Sequence, residues 1–164
     1  MVKYQKCEDA MTADPRDLML TRLIDVPRAT LWRCWTEADL IKKWFTPPPF
    51  TVPYAEMDVR AGGKSCITMR GPDGKDIPMP GTYLEVVKNE KLVFTDAYVG
   101  DWEPGQNKPF MTGVISFADE AGQTRYIARV RHWSMDDREN HGKMGFHTGW
   151  GIATDQLTEL AKTL

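Results

Sequence analysis

The spacing of apolar residues changes period three times along the chain. Leu18 to Val26 (LMLTRLIDV) is a dense run of apolar and branched residues and predicts a first strand. Pro27 ends that run and suits the first turn of a helix, where Leu31, Trp32 and Trp35 recur at helical spacing. Thr36 followed by Asp39 predicts a capping box opening a second short helix that runs through Trp44 and buries Leu40, Ile41 and Trp44. The Pro47-Pro48-Pro49 run stops it.

The period then shortens to two. Val52–Val59, Lys64–Arg70, Pro80–Val87 and Leu92–Val99 read as strands, divided by Gly62-Gly63, Pro72-Asp73-Gly74 and Asn89-Glu90. Phe110–Phe117 and Thr124–Trp133 follow, joined by Asp119-Glu120-Ala121-Gly122. Connections this short favour antiparallel hairpins. Gly100–Pro109 is the exception, a loop long enough to serve as a lid or rim. In the last strand Tyr126, Ala128, Val130 and His132 share the face expected to meet the core. Arg125, Ile127, Arg129, Arg131 and Trp133 share the other.

The C-terminal segment returns to a helical period. Ser134 with Asp137 predicts an N-cap, and Phe146, Trp150, Ala153, Leu157, Leu160 and Leu164 fall on one stripe. The expectation is one long helix. Gly142, Gly145, Gly149 and Gly151 lie within it, each costing about 1 kcal/mol relative to alanine. Close approach to the sheet and space kept free beneath the helix would both account for them.

Composition narrows the class. At 164 residues the chain is the size of one domain, read as an N-terminal arm over 1–16 and a single domain over 17–164. Lys and Arg total 21 against 23 Asp and Glu, which argues against a nucleic-acid partner. No apolar run is long enough to span a membrane, and the polar first residues do not read as a signal peptide. Three scattered cysteines, Cys7, Cys34 and Cys66, fit free thiols and an expected cytoplasmic location. Gly71-Pro72-Asp73-Gly74-Lys75 has neither the upstream glycine nor the Ser or Thr of a phosphate loop and is read as a turn.

Several short motifs resemble a known family. Asp25-Val26-Pro27, Leu31-Trp32-Arg33-Cys34-Trp35-Thr36 and Leu40-Ile41-Lys42-Lys43-Trp44 resemble the opening of the activator-of-heat-shock-protein-90-ATPase-like group of the SRPBCC superfamily. Arg60-Ala61-Gly62-Gly63, Gly81-Thr82-Tyr83-Leu84-Glu85, Leu92-Val93-Phe94-Thr95 and Gly145-Phe146 with Gly149-Trp150 continue the match in order. The resemblance implies an α+β helix-grip (START-like) fold, in which a curved antiparallel sheet of about seven strands wraps a long C-terminal helix. Two short helices follow strand one. It also implies a cavity between sheet and helix, and brings no catalytic motif that maps onto this chain.

The candidate chemistry is therefore that of a cavity. Phe146, Gly149, Trp150 and Ala153 are expected to roof it from the helix. Trp44, Met69, Tyr83, Met111 and His132 are expected to line it from below. Met57, Met69, Met79 and Met111 fall in or beside strands, and adaptable methionines suit apolar ligands of varied shape. His132, His141 and His147 could meet only at the strand-to-helix turn, and no metal or other cofactor is expected. Glu56, Glu85 and Asp96 would supply a general base only if they faced inward, so no catalytic residue is assigned. The favoured reading is a non-catalytic binder of a small apolar or lipid-like molecule. A cyclase- or hydrolase-type enzyme using the same cavity, and a co-chaperone-like interaction module, stay open beside it, as do a homodimer and a chaperone partner.

Overall fold

The computed structural model describes residues 14–164. β1 (Asp17–Ile24) leads into α1 (Arg28–Thr36) and α2 (Ala38–Ile41). Six strands follow: β2 (Thr51–Met57), β3 (Lys64–Arg70), β4 (Asp76–Val87), β5 (Lys91–Thr95), β6 (Thr112–Glu120) and β7 (Gln123–Arg131). They form one antiparallel sheet in the order β1-β7-β6-β5-β4-β3-β2, so the first strand closes beside the last. Helices α3 (Met135–Lys143) and α4 (Phe146–Ala161) complete the chain. This is the helix-grip α+β fold.

The core fills the concave face. In β7, Tyr126, Ala128 and Val130 are buried as the alternation predicts, as is His132 just past its end, and Leu18, Leu20, Ile115 and Phe117 come from neighbouring strands onto the same side. Helix α1 drops Leu31, Trp32, Cys34 and Trp35 onto them. Trp35 meets Trp44 edge-on at 4.9 Å, and the Trp44 indole N–H donates to the Cys34 carbonyl at 2.9 Å. Burial pushes the Cys34 thiol up to about 11, as an inert core thiol should be. The Gln156 amide then ties α4 across this cluster, donating to the Trp44 and Thr46 carbonyls at 2.9 and 2.8 Å.

Two expectations fail for local reasons. The Thr36–Asp39 capping box does not form. Thr36 still belongs to α1, where its hydroxyl donates to the Trp32 carbonyl at 2.7 Å, and Glu37 stands at the head of α2. The long C-terminal helix is two helices. Ser134 caps the first as expected, accepting from the Asp137 N–H at 3.1 Å. The break falls at Gly145, whose φ of +95° is a left-handed conformation that glycine adopts without strain. One of the four helix glycines is thus explained by backbone conformation.

Three strand limits also shift, and these matter more. β4 begins at Asp76, ahead of the expected Pro80; β5 stops at Thr95, well short of Val99; β6 starts at Thr112. β4 therefore outruns β5. The expected arm over 1–16 is described only from Asp14, which is tied down: its carboxylate accepts from Arg16, which holds the acid well below the usual carboxylate range. The remainder of that arm, with Cys7, lies outside the described residues.

Gly149 stands in the interior of α4, and a side-chain carbon there would meet nothing within 4 Å. Gly149→Ala should therefore gain helix propensity without a clash, raising stability by up to about 1 kcal/mol. Thermal unfolding should show a rise of about 2–4 °C; a fall would mean that the space beside Gly149 is needed by a neighbour.

Candidate functional site

A cleft of about 700 Å³ opens where β4 and β5 part. β4 pairs with β3 from Arg70↔Asp76 to Lys64↔Thr82, but with β5 only from Thr82↔Thr95 onward. The segment Asp76–Gly81 consequently has a strand on one side and open space on the other. Ile67 and Met79, paired across β3 and β4, line the cleft with Phe94 from the end of β5 and Phe45 from the turn after α2. The loop between β5 and β6 supplies Val99, Glu103, Gly105, Phe110 and Met111. Apolar side chains form most of the walls, and the charged ones stand at the rim.

The loop is fastened at several points. Asp96 accepts the Phe110 N–H at 2.8 Å and the Met111 N–H at 3.2 Å, which closes the loop base in place of ladder hydrogen bonds. The Gly100 N–H donates to the buried Thr82 hydroxyl at 2.8 Å. Asp101 and Trp102 both adopt positive φ in the turn between the paired Tyr98 and Pro104. That turn lays the Trp102 ring on Gly62, where a side-chain carbon would come within 3.0 Å of it. Lys108 reaches α3 and pairs with Asp137 at 2.7 Å, drawing the Asp137 acid below its ordinary range. The Phe94 wall depends on a glycine as well: a side-chain carbon on Gly113, directly across from Phe94 in β6, would lie 2.5 Å from its ring. Aromatic residues cover strand glycines in this way.

The residues expected at the site divide by element. Met111 lines the cleft, and Met79 from the methionine set joins it. Trp44 and Tyr83 are buried in the core, at 3% and 2% exposure, behind the cleft wall. Met69 sits further out on the β3–β4 arm, paired with Ile77. Phe146 is filled in against Leu18 and Val130, Ala153 is buried in the main core, and Trp150 packs against both clusters. None of these three, nor Gly149, is among the cleft-lining residues. The expected roof from α4 is occupied because the α1 tryptophans and Phe146 already fill the concave face beneath that helix. Phe45, Ile67 and Phe94 escaped the sequence reading. The Ile77–Met79 alternation upstream of Pro80 was the available signal, since it marks strand continuing ahead of the proline.

His132 meets His141 at the strand-to-helix turn. The Arg16 carbonyl, 2.8 Å from His132 Nδ1, can only accept, so Nδ1 carries the proton. That leaves His132 Nε2 facing His141 Nδ1 at 2.9 Å. Phe110 and Phe146 pack on the His141 ring. This is a satisfied core pair joining β7, α3 and the segment ahead of β1. Among the described residues, no three His, Cys, Asp or Glu side chains are grouped to hold a metal ion. Among them, no helix is long and apolar enough to cross a membrane.

The architecture defines the class: a START-like domain with a cleft at the edge of its grip. The chain belongs to the activator of Hsp90 ATPase homolog 1-like protein family, whose model matches residues 25–162. It is similar to a solved protein from Nitrosomonas europaea, with 38% identity, a TM-score of 0.88, and coverage of 92% of this chain and 97% of that one. A protein from Mycobacterium smegmatis matches at 25% identity and a TM-score of 0.74, over 90% of this chain and 91% of its own. One from Rhodobacter sphaeroides, at 15% identity and a TM-score of 0.79 over 93% and 96%, shares the fold alone. No curated protein matches.

Burial, followed by the charge of His132, pushes His141 down to about 4. The unfolded chain takes up that proton near pH 6.5, whereas the folded chain resists it until about pH 4. Stability is therefore full above about pH 6.5 and declines as pH falls toward 4, by on the order of 2–3 kcal/mol. Denaturant unfolding across this window should show the decline, and His141→Phe should flatten it. An unchanged slope in the variant would place the titrating group elsewhere.

Proposed function

We propose that this protein is a non-catalytic binder of a small apolar molecule, held in the cleft between the β3–β4 arm and the β5–β6 loop. The observation that carries the reading is the cleft itself: a space of about 700 Å³ walled by Phe45, Ile67, Met79, Phe94, Phe110 and Met111. That is the size and character of small-molecule sites in general. Three of its four charged side chains are engaged in holding structure, and Glu103 stands at the rim without an ion-pair partner among the described residues. Asp96 is spent on two backbone N–H groups, Lys108 on Asp137, and Lys64 stands 3.7 Å from Glu56. A general base needs a free lone pair facing the reacting atom, and Asp96 has both oxygens committed. The family supports binding as the function.

Met79 projects into the cleft from a half-buried position, so a larger side chain can fill the space without overpacking the core. Met79→Trp should weaken binding of a neutral apolar dye such as Nile red by about tenfold or more, equivalent to at least about 1.4 kcal/mol. The melting temperature should move by no more than about 2 °C. Full dye binding by this variant would show that the cleft is not the site.

A further inference from the structure

The cleft reaches both faces of the sheet. Along β3 and β4 successive side chains point to opposite faces, and cross-strand partners share one. Ile67 and Met79 are such a pair on the concave face, where both pack with the core. Cys66 with Pro80, and Lys64 with Thr82, are pairs on the convex face. Of these residues all but Thr82 line the cleft. A space bounded by both sets lies across the free edge of β4, beside which β5 has stopped at Thr95.

The β5–β6 loop straddles the same gap. Its first part lies on the convex face: the Gly100 N–H reaches the Thr82 hydroxyl, and a side-chain carbon on Gly100 would stand 3.3 Å from Lys64. Its last part is on the concave side, where Phe110 packs on the His141 ring at 4.7 Å and Met111 packs with Leu18, Val130 and Phe146. The edge between them is kept from taking up another strand. The Tyr83 N–H donates to the Gly63 carbonyl at 2.9 Å, so odd-numbered residues of β4 turn their backbone groups toward β3. The even-numbered ones face the gap, and there Pro78 and Pro80 have no N–H to offer.

The two ends of the cleft differ in character. Phe45, Ile67, Met79, Phe94 and Met111 make the concave end apolar. The convex end holds Lys64 and Glu103, the latter bonded through its N–H to the Gly100 carbonyl. One charge of each sign stands there, so a polar head group is accommodated without selection for its charge.

We infer that the ligand is an extended amphiphile lying across the free edge of β4, its apolar chain in the concave end and its polar head on the convex face. This rests on the cleft being the ligand site. A sheet with its side chains is about 10 Å thick, so a molecule that reaches both ends is at least that long. A compact apolar molecule fills the concave end alone.

Cys66, a free and partly buried thiol, reports on the convex end. Decan-1-ol and adamantan-1-ol have the same carbon count and head group, and only the first is long enough to span the sheet. Each is added to the full chain at about ten times the constant with which it displaces Nile red. Alkylation of Cys66 by N-ethylmaleimide is then followed by peptide mass spectrometry. Decan-1-ol should slow it by about tenfold, and adamantan-1-ol by less than about twofold. Equal protection by the two, or none by decan-1-ol, would overturn the crossing mode while leaving the cleft as the site. Decan-1-ol that fails to displace bound Nile red would overturn it as well. So would a Cys66 that does not react in the free protein, because the convex end would then be closed. Failure of Nile red itself to bind would remove the site, and this inference with it.

Discussion

The unequal partnership of β4 shapes the cleft proposed as the ligand site. Over Thr82–Val87 the strand lies between β3 and β5, and over Asp76–Gly81 it has β3 alone. A strand with one free side must leave its backbone groups to water or remove them. Here Pro78 and Pro80 remove the donors while keeping every bond to β3. The free stretch can then stay extended and solvent-facing, and a cleft forms beside it.

The remaining parts follow from keeping that notch open. The sixteen residues from Asp96 to Met111 must leave the sheet at Thr95 and return at Thr112 without pairing along β4. Asp96 clamps the two ends, Thr82 and Gly62 seat the middle, and Lys108 anchors the far side on α3. On the inner side, Trp35 packs 5.8 Å from Phe94 and 6.1 Å from Phe45, so the wall of the cleft is also the flank of the core. Buried aromatic packing of this kind gives a rigid wall. A ligand in the proposed cleft would therefore rest on the flank of the core at Phe94, with Gly113 leaving the room its ring occupies.

Much of the fold was legible in the sequence, because period and turn chemistry agree along most of the chain. The inward face of β7, the Ser134 cap and the β3 limits Lys64–Arg70 all read correctly from residue type alone. The site was less legible. Pro80 reads as the start of a strand because proline normally ends a ladder, and only the register shows that its nitrogen lies on the side without a partner. The α4 stripe predicts which face of the helix is buried, but not that the α1 tryptophans and Phe146 fill the space beneath it. That depends on residues over a hundred positions apart, whose meeting no local pattern encodes. The His132–His141 pair is a middle case: the turn that joins them was identifiable, and their 2.9 Å contact was not.

We place the ligand space at the notch between β4 and β5, away from the helix the sheet grips. Backbone amide shifts recorded while Nile red is titrated into the isotope-labelled protein test it most directly. The largest changes should fall on Ile67, Met79, Phe94 and Met111, with Gly149 to Ala153 nearly still. Shifts concentrated on Phe146, Trp150 and Ala153 instead would place the ligand beneath α4 and contradict it.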